Sequence, residues 1–306
     1  MSKTMSQQRH QSVLVTGAAG SLGLETVLAA AERGFRVFAG TRGTAQHAAI
    51  QEAAAGRGVQ VDTITLDVTD ESSVAAAIDH IVRVSGNLYG IVNNAGVTLR
   101  GYFEDLEDAE IRRLFDVNLF GTMAVTRHAL PYMREARRGR IIIMSSVAGR
   151  IGSMGLTAYV ASKFALEGFS ESLALEVAPL GVDVAVIEPG IVRTGIWEQN
   201  RRVAARARDP KRPYYKWFTR AEAEADRLVK SSKLTPTLVA RGIVRALTDS
   251  SPRMRYMVGR RASLVVALRR HLPGELFERI YFGEVRRRVI GSRGLVPAEP
   301  RKPDVR

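Results

Sequence analysis

The stretch Thr16-Gly17-Ala18-Ala19-Gly20-Ser21-Leu22-Gly23 follows the apolar run Val13 to Val15 and opens the helical pattern Leu22 to Arg33. In such a unit the backbone amides of the turn and the positive end of the helix can hold a pyrophosphate, and side chains larger than hydrogen would block its approach. Glycine turns also occur without nucleotides, so the motif draws its weight from the strand before it and the helix after it.

Outward from this unit, short β-branched runs alternate with longer helical patterns. Val37 to Ala39, Val59 to Leu66, Gly90 to Asn93, Arg140 to Met144 and Val182 to Ile187 read as strands. Ser72 to Val84, Glu110 to Met133 and Ala158 to Ala178 read as helices. Strands separated by helices of this length require right-handed crossovers, which predicts the α/β class: one doubly wound, Rossmann-type parallel sheet with helices on both faces. Ligands of such sheets sit beyond the carboxyl ends of the strands.

A single domain is expected, with residues 10–194 as the dinucleotide-binding and catalytic core. Past 195 the chain turns polar and basic, with Pro210 and Pro213, then helical near 220–230 and 236–248, which reads as a substrate-covering insertion over 195–250. Met254 to Val258 adds a last strand, 260–290 is basic and amphipathic, and 291–306 reads as a flexible tail.

The 306 residues are 45% apolar, enough to bury a large core. The polar start MSKTMSQQRHQ lacks the apolar segment of a secretory signal, and no apolar run approaches the roughly 20 residues of a membrane span. A cytoplasmic protein is expected. There is no cysteine, which excludes disulfides and a thiol nucleophile, and His10, His47, His80, His128 and His271 show no metal-ligand spacing. The formal charge of +14 is lopsided: residues 1–194 carry 18 Lys/Arg and 20 Asp/Glu, residues 195–306 carry 27 and 11. An anionic partner or merely a solvated basic face would account for it.

Two further features bear on chemistry. At the end of the second strand, where an acidic residue would bond the 2′-hydroxyl of NAD, the chain reads Gly40-Thr41-Arg42. A guanidinium there suits the 2′-phosphate of NADP, so NADP is preferred over NAD; an exposed arginine with no role is the other reading. Tyr159 and Lys163 stand four apart on one helix face, where an ammonium favours phenolate and brings the phenol toward the range useful for proton transfer, although such a pair is commonly an ordinary surface pair.

Taken in order and spacing, Thr16 to Gly23, Asn93-Asn94-Ala95-Gly96, Asn118, Ser146, Tyr159-x-x-x-Lys163 and Pro189-Gly190 resemble the short-chain dehydrogenase/reductase family over residues 12 to about 195. Ser146 stands thirteen residues before Tyr159, as that family's pattern requires. The glycine spacing T-G-x-x-G-x-x-G is that of the extended branch, with Ser21 at the classical middle glycine; length, Asn-Asn-Ala-Gly and the serine-to-tyrosine distance favour the classical branch. The resemblance implies an NAD(P)-dependent oxidoreductase. By it, Tyr159 is the general acid/base, Ser146 polarises the substrate oxygen, Lys163 lowers the tyrosine pKa and grips the nicotinamide ribose, and Asn118 holds a proton-relay water. Gly17, Gly20, Ser21, Leu22 and Gly23 would hold the pyrophosphate. Asp67 and Val68 would face adenine, with helix capping near Asp70 as the structural reading of that segment. Asn94, Ala95 and Gly96 would line the adenosine side, and Pro189, Gly190, Val192 and Thr194 the nicotinamide carboxamide.

Substrate choice is assigned to residues 150–156 and 191–235, where Ile151, Met154, Leu156, Ile196, Trp197, Trp217 and Phe218 suggest an apolar ketone or alcohol of steroid, retinoid or lipid type, unless these are core residues. The basic stretch 259–290 would rest on an anionic membrane or pack against a second subunit, and the resemblance implies a homo-oligomer through the helices carrying Asn118 and Tyr159. A silent nucleotide sensor or nucleic-acid-binding protein on the same fold is the competing function; charge alone supports it, without a helix-turn-helix or RNA-sheet signature.

Overall fold

The computed structural model describes residues 11–193 and 201–291. Its strands are β1 (Ser12–Thr16), β2 (Arg36–Thr41), β3 (Asp62–Thr65), β4 (Gly90–Asn93), β5 (Thr98–Arg100), β6 (Gly139–Met144), β7 (Val182–Pro189), β8 (Arg201–Val203) and β9 (Arg255–Val258). The helices are α1 (Ser21–Glu32), α2 (His47–Gly56), α3 (Glu71–Ser85), α4 (Asp108–Phe115), α5 (Gly121–Glu135), α6 (Thr157–Val177), α7 (Tyr215–Ser231), α8 (Pro236–Thr248), α9 (Arg260–His271) and α10 (Gly274–Val289).

Seven strands form one sheet in the order β3-β2-β1-β4-β6-β7-β9, every pair parallel, and β5 pairs with β8 in a separate two-stranded ribbon. Central strands covered on both faces have no polar side, which explains runs such as Ile141-Ile142-Ile143, all buried. Alternate residues feed opposite layers. Val13, Val15, Val92 and Ile142 pack toward Val27 of α1, Ile50 of α2 and Ile243 of α8. Leu14, Ile91, Ile141 and Ile143 pack toward Ile78 of α3, Val125 of α5 and Leu166 of α6. This is the doubly wound sheet expected. The order reverses between β1 and β4, so the crevice at their carboxyl ends is the natural ligand position.

Several elements differ from the sequence reading. The strand placed at 59–66 forms only over Asp62–Thr65. The helix read as Glu110 to Met133 is α4 and α5 joined by a π-turn, Asp116–Phe120, in which the Gly121 amide reaches back to the Asp116 carbonyl. A single wide turn only offsets the helical pattern by one residue, which a short apolar pattern on either side does not reveal; side-chain bonds from Asn118 hold the turn in place, as described below. The 236–248 part of the stretch read as covering insertion is α8, which packs against α1 on the sheet. The region 260–290 is two helices broken at Leu272-Pro273, and the tail from 292 lies outside the described residues. No described helix is long and apolar enough to cross a membrane.

Candidate active site

Thr16 ends β1 and ties the crevice together. Its Oγ1 accepts from the backbone amides of Asn94 at 3.0 Å and Ala95 at 2.9 Å, while Asn94 Nδ2 donates to the carbonyls of Thr16 and Gly17 at 2.9 and 3.2 Å. The two turns therefore touch backbone to backbone. Gly17 has φ +64°, and a Cβ on it would lie 2.9 Å from Ala95 Cα; a Cβ on Gly23 would lie 2.3 Å from the Gly17 carbonyl oxygen. Both glycines are demanded by the protein's own packing. At Gly20 a Cβ would meet only the Gly17 oxygen, at 3.6 Å, and Ser21 is exposed, so this side of the turn is open.

The N-terminus of α1 carries no side-chain cap and no acidic residue in its first turn. Its leading amides thus face the open side of the turn with the positive end of the helix behind them, which fits a dinucleotide pyrophosphate. Arg42 lies exposed just past β2. Asp67 is half-buried, its Oδ1 accepting from the Thr69 amide at 2.9 Å and hydroxyl at 2.7 Å, and Val68 is buried against Gly121. Asp70 caps α3 by accepting from the Ser72 and Ser73 amides, so capping and the candidate adenine contact fall on different aspartates.

Ser146, Tyr159, Lys163 and Asn118 come together at the carboxyl end of the sheet. Ser146 follows β6; its hydroxyl accepts from the Ala148 amide at 3.1 Å and lies near enough to the Tyr159 phenol to favour its ionised form. One turn along α6, Lys163 Nζ donates to the Met144 carbonyl at 2.7 Å and lies 5.7 Å from the centre of the Tyr159 ring. Asn118 is 1% exposed; its Oδ1 accepts from the Val97 amide at 2.8 Å and its Nδ2 donates to Val97 O at 3.0 Å and Ser162 Oγ at 3.1 Å. Between them, a Cβ on Gly96 would stand 3.4 Å from Asn118 Oδ1 and 3.9 Å from Lys163 Nζ.

The electrostatics correct one expectation. Burial pushes the Tyr159 phenol above its usual pKa, and the Ser146 hydrogen bond opposes that only in part. Burial also brings Lys163 down to about 8, against the Glu167 charge that supports its ammonium. Spacing on the helix placed the two groups together, but desolvation outweighs their proximity in this state.

The rim of the crevice is held from the far end of the chain. Gly190 N donates to Val258 O at 2.8 Å, Arg193 N to Leu234 O at 2.8 Å, and Val192 packs on the core; Pro189 pairs with Val258 in the sheet register. Thr194, Ile196 and Trp197 lie outside the described residues. Of the apolar candidates, Phe218 and Ile151 are buried, Phe218 in a cluster with Leu99 and Leu114, so the packing reading holds for it. The sequence reading missed Tyr102, stacked on Tyr214 at 4.9 Å, and set Phe282 only in the amphipathic stretch 260–290, whereas its ring approaches Gly152. Neither has a local signal, since each partner is remote in sequence. A clasp of Arg100 and Arg201 on Glu222 anchors α7 to the β5 and β8 ribbon.

The family model described as short chain dehydrogenase matches residues 11–204. This chain belongs to the short-chain dehydrogenase family. The short-chain dehydrogenase is 33% identical to the uncharacterized oxidoreductase YusZ of Bacillus subtilis over 270 residues, 87% of this chain and 95% of the relative. Retinol dehydrogenase 8 of Bos taurus is 32% identical over 279 residues, 88% of each chain. The 3-ketodihydrosphingosine reductase of Bacteroides thetaiotaomicron is 35% identical over 194 residues, 63% of this chain and 68% of that one. Among solved structures, a short-chain dehydrogenase from Streptomyces avermitilis has TM-score 0.74 at 31% identity, covering 90% of this chain and 98% of the other. A metagenomic short-chain oxidoreductase solved in complex with NADP has TM-score 0.65 at 25% identity, covering 81% and 96%. The short-chain dehydrogenase is accordingly an oxidoreductase acting on CH–OH and C=O groups with NAD(P).

Proposed function

We propose that this short-chain dehydrogenase interconverts an apolar carbonyl compound and its alcohol, uses NADP in preference to NAD, and relies on Tyr159 for proton exchange with the substrate oxygen. The observation that carries this is the meeting of Tyr159, Ser146 and Lys163 at the carboxyl end of a sheet whose first strand leads into the uncapped end of α1. When bound, the nicotinamide supplies or accepts the hydride. In the reductive direction Tyr159 gives its phenolic proton to the carbonyl oxygen while Ser146 donates a hydrogen bond to that oxygen. The Lys163 ammonium stabilises the phenolate left behind, and in oxidation the same proton returns to Tyr159. Because the Asn118 side chain is fully engaged with Val97 and Ser162, its main-chain carbonyl, which also accepts from Thr122, is the atom available for a relay water.

On the adenosine side, Gly17, Gly20, Ser21, Leu22 and Gly23 would hold the pyrophosphate, Asp67, Val68, Asn94, Ala95 and Gly96 the adenosine, and Pro189, Gly190, Val192 and Thr194 the carboxamide. Arg42 favours NADP, and the NADP complex of the metagenomic relative supports it. An apolar substrate is supported by the names of two relatives, a retinol dehydrogenase and a 3-ketodihydrosphingosine reductase, and by the aromatic groups Phe277, Tyr281 and Phe282 near loop 150–156. Phe120 and Leu175, 57% and 80% exposed on the elements that carry Asn118 and Tyr159, support a homo-oligomer; light scattering that returned the 33.5 kDa of one chain would overturn that part.

The test is NADPH consumption against a panel of retinoid, long-chain and small polar carbonyls, for the parent and Tyr159→Phe. The Phe variant should lose a factor of about 10²–10⁴ in kcat/KM with its NADP affinity kept. Undiminished activity would remove Tyr159 from the mechanism, and turnover confined to small sugars or acids would overturn the substrate class.

A further inference from the structure

The turn that carries Ser146 is tied to α6 at both ends. At its start the Met144 carbonyl accepts from Lys163 Nζ at 2.7 Å. The chain then winds through one helical turn, Val147–Gly149, in which the Ser146 carbonyl accepts from the Gly149 amide at 2.8 Å. Gly149 lies directly on α6: a Cβ there would stand 3.1 Å from both the Lys163 carbonyl oxygen and Glu167 Cγ. Arg150 ends the turn, and its Nη1 lies 3.4 Å from Glu188 Oε1 and 3.8 Å from Glu167 Oε2.

Both carboxylates are buried, Glu167 on α6 one turn beyond Lys163 and Glu188 on β7. Buried carboxylates need cations, and these have two. Arg255 of β9 reaches the same two oxygens, its Nε 3.2 Å from Glu167 and 3.3 Å from Glu188. Each carboxylate thus has a partner without help from the Ser146 turn. What Arg150 adds is a tie between them and the backbone four residues after Ser146. The Arg150 carbonyl also accepts from Arg269 of α9, which holds the same residue from a third side. Since Lys163 and Glu167 are neighbours on one helix face, the two ties clamp the turn against the helix that carries Tyr159.

We propose that Arg150 is a positioning residue for the reaction: held by Glu167 and Glu188, it fixes the Ser146 hydroxyl relative to the Tyr159 phenol, so that both meet the substrate oxygen together. This rests on the role given to Ser146 above. Released from Arg150, the turn pivots about Met144, and a hydroxyl displaced by about 1 Å no longer bonds the substrate oxygen well.

The experiment is a double-mutant cycle between Arg150 and Ser146. It measures kcat for the carbonyl of the panel above that the parent turns over fastest, and the NADP⁺ dissociation constant by calorimetry. The variants are Arg150→Met, Arg150→Lys, Ser146→Ala and the double variant Ser146→Ala with Arg150→Met, with melting curves to confirm folding. Arg150→Met should lose about 10- to 100-fold in kcat and keep its NADP⁺ affinity, and Arg150→Lys, which retains the charge, should recover part of that loss. In the Ser146→Ala background the Arg150→Met change should cost nothing further, because no hydroxyl is left to position. Should Arg150→Met not fold, Arg150→Lys takes its place in the cycle. Glu171→Gln removes another α6 carboxylate that pairs with Arg255, and should match the parent. A loss from Arg150→Met as large without the hydroxyl as with it would mark general damage and overturn the proposal, as would parent-level kcat in Arg150→Met. If Ser146→Ala itself keeps the parent's kcat, the role of Ser146 falls and this inference falls with it.

Discussion

Glu188, two residues before Gly190, is 2% exposed and faces Glu167 together with Arg150 and Arg255, whose guanidinium atoms lie 3.4 and 3.3 Å from its carboxylate. Burial first, and then the Glu167 charge, push its pKa from 4.5 up to about 7, against the two arginines. A carboxyl whose folded pKa exceeds its unfolded one binds more protons in the folded state between the two values, so stability falls as pH rises from about 4.5 to about 7. Glu188→Gln should flatten that slope and leave the variant more stable than the parent at pH 8 by on the order of 2 kcal/mol, read from urea unfolding across pH. A variant that keeps the parent's slope would disprove the assignment. The meeting of Tyr159, Ser146 and Lys163 was legible because they belong to a motif with fixed spacing. Glu188 and Glu167 were not, because β7 and α6 bring them together only in the folded chain, and nothing local distinguishes either from a surface carboxylate.

Elements were read well where burial on both faces writes an unbroken apolar run. β4 matches its expected bounds, and β1, β6 and β7 differ only at their ends. α2 went unread because its alanine-rich sequence buries only Ile50 and Ala54, too narrow a stripe to stand out. The β5 and β8 ribbon went unread because its strands are three residues each and a hundred residues apart. One hydroxyl in the link between β1 and the turn after β4, Thr16 Oγ1, serves two amides. Thr16→Val keeps the shape and leaves both amides without that acceptor, which should cost about 2–3 kcal/mol of unfolding free energy. Denaturant midpoints equal to the parent's would mean that water or a shift of the turn replaces the hydroxyl.

On the scale of the molecule, part of the charge imbalance seen in the sequence falls on α9 and α10. Arg260, Arg261, Arg269, Arg270 and Arg279 are exposed there, and so are Leu264 and Ile280, at 61% and 57%. Of the two expectations, a lipid surface and a partner subunit, the mixture of cationic and apolar side chains favours an anionic bilayer. The protein should co-sediment with vesicles containing phosphatidylserine, lose most of that binding at about 0.5 M salt as screening shortens, and ignore purely zwitterionic vesicles. Equal recovery with both vesicle types would return this face to subunit packing. The charge count gave the asymmetry but no geometry, since which arginines are neutralised depends on clasps such as Arg201 with Glu222 and Arg255 with Glu167 and Glu171.

The sheet closes with a strand encoded late. β9 covers β7, and its last residue, Val258, receives the Gly190 amide. A nascent chain emerging from the ribosome can assemble β1 through β7 long before that, but β7 then stays a bare edge open to mispairing. The Gly190 amide lacks its Val258 acceptor until the codons for Arg255–Val258 have been translated and cleared the exit tunnel, so the order of synthesis itself delays completion of the crevice rim.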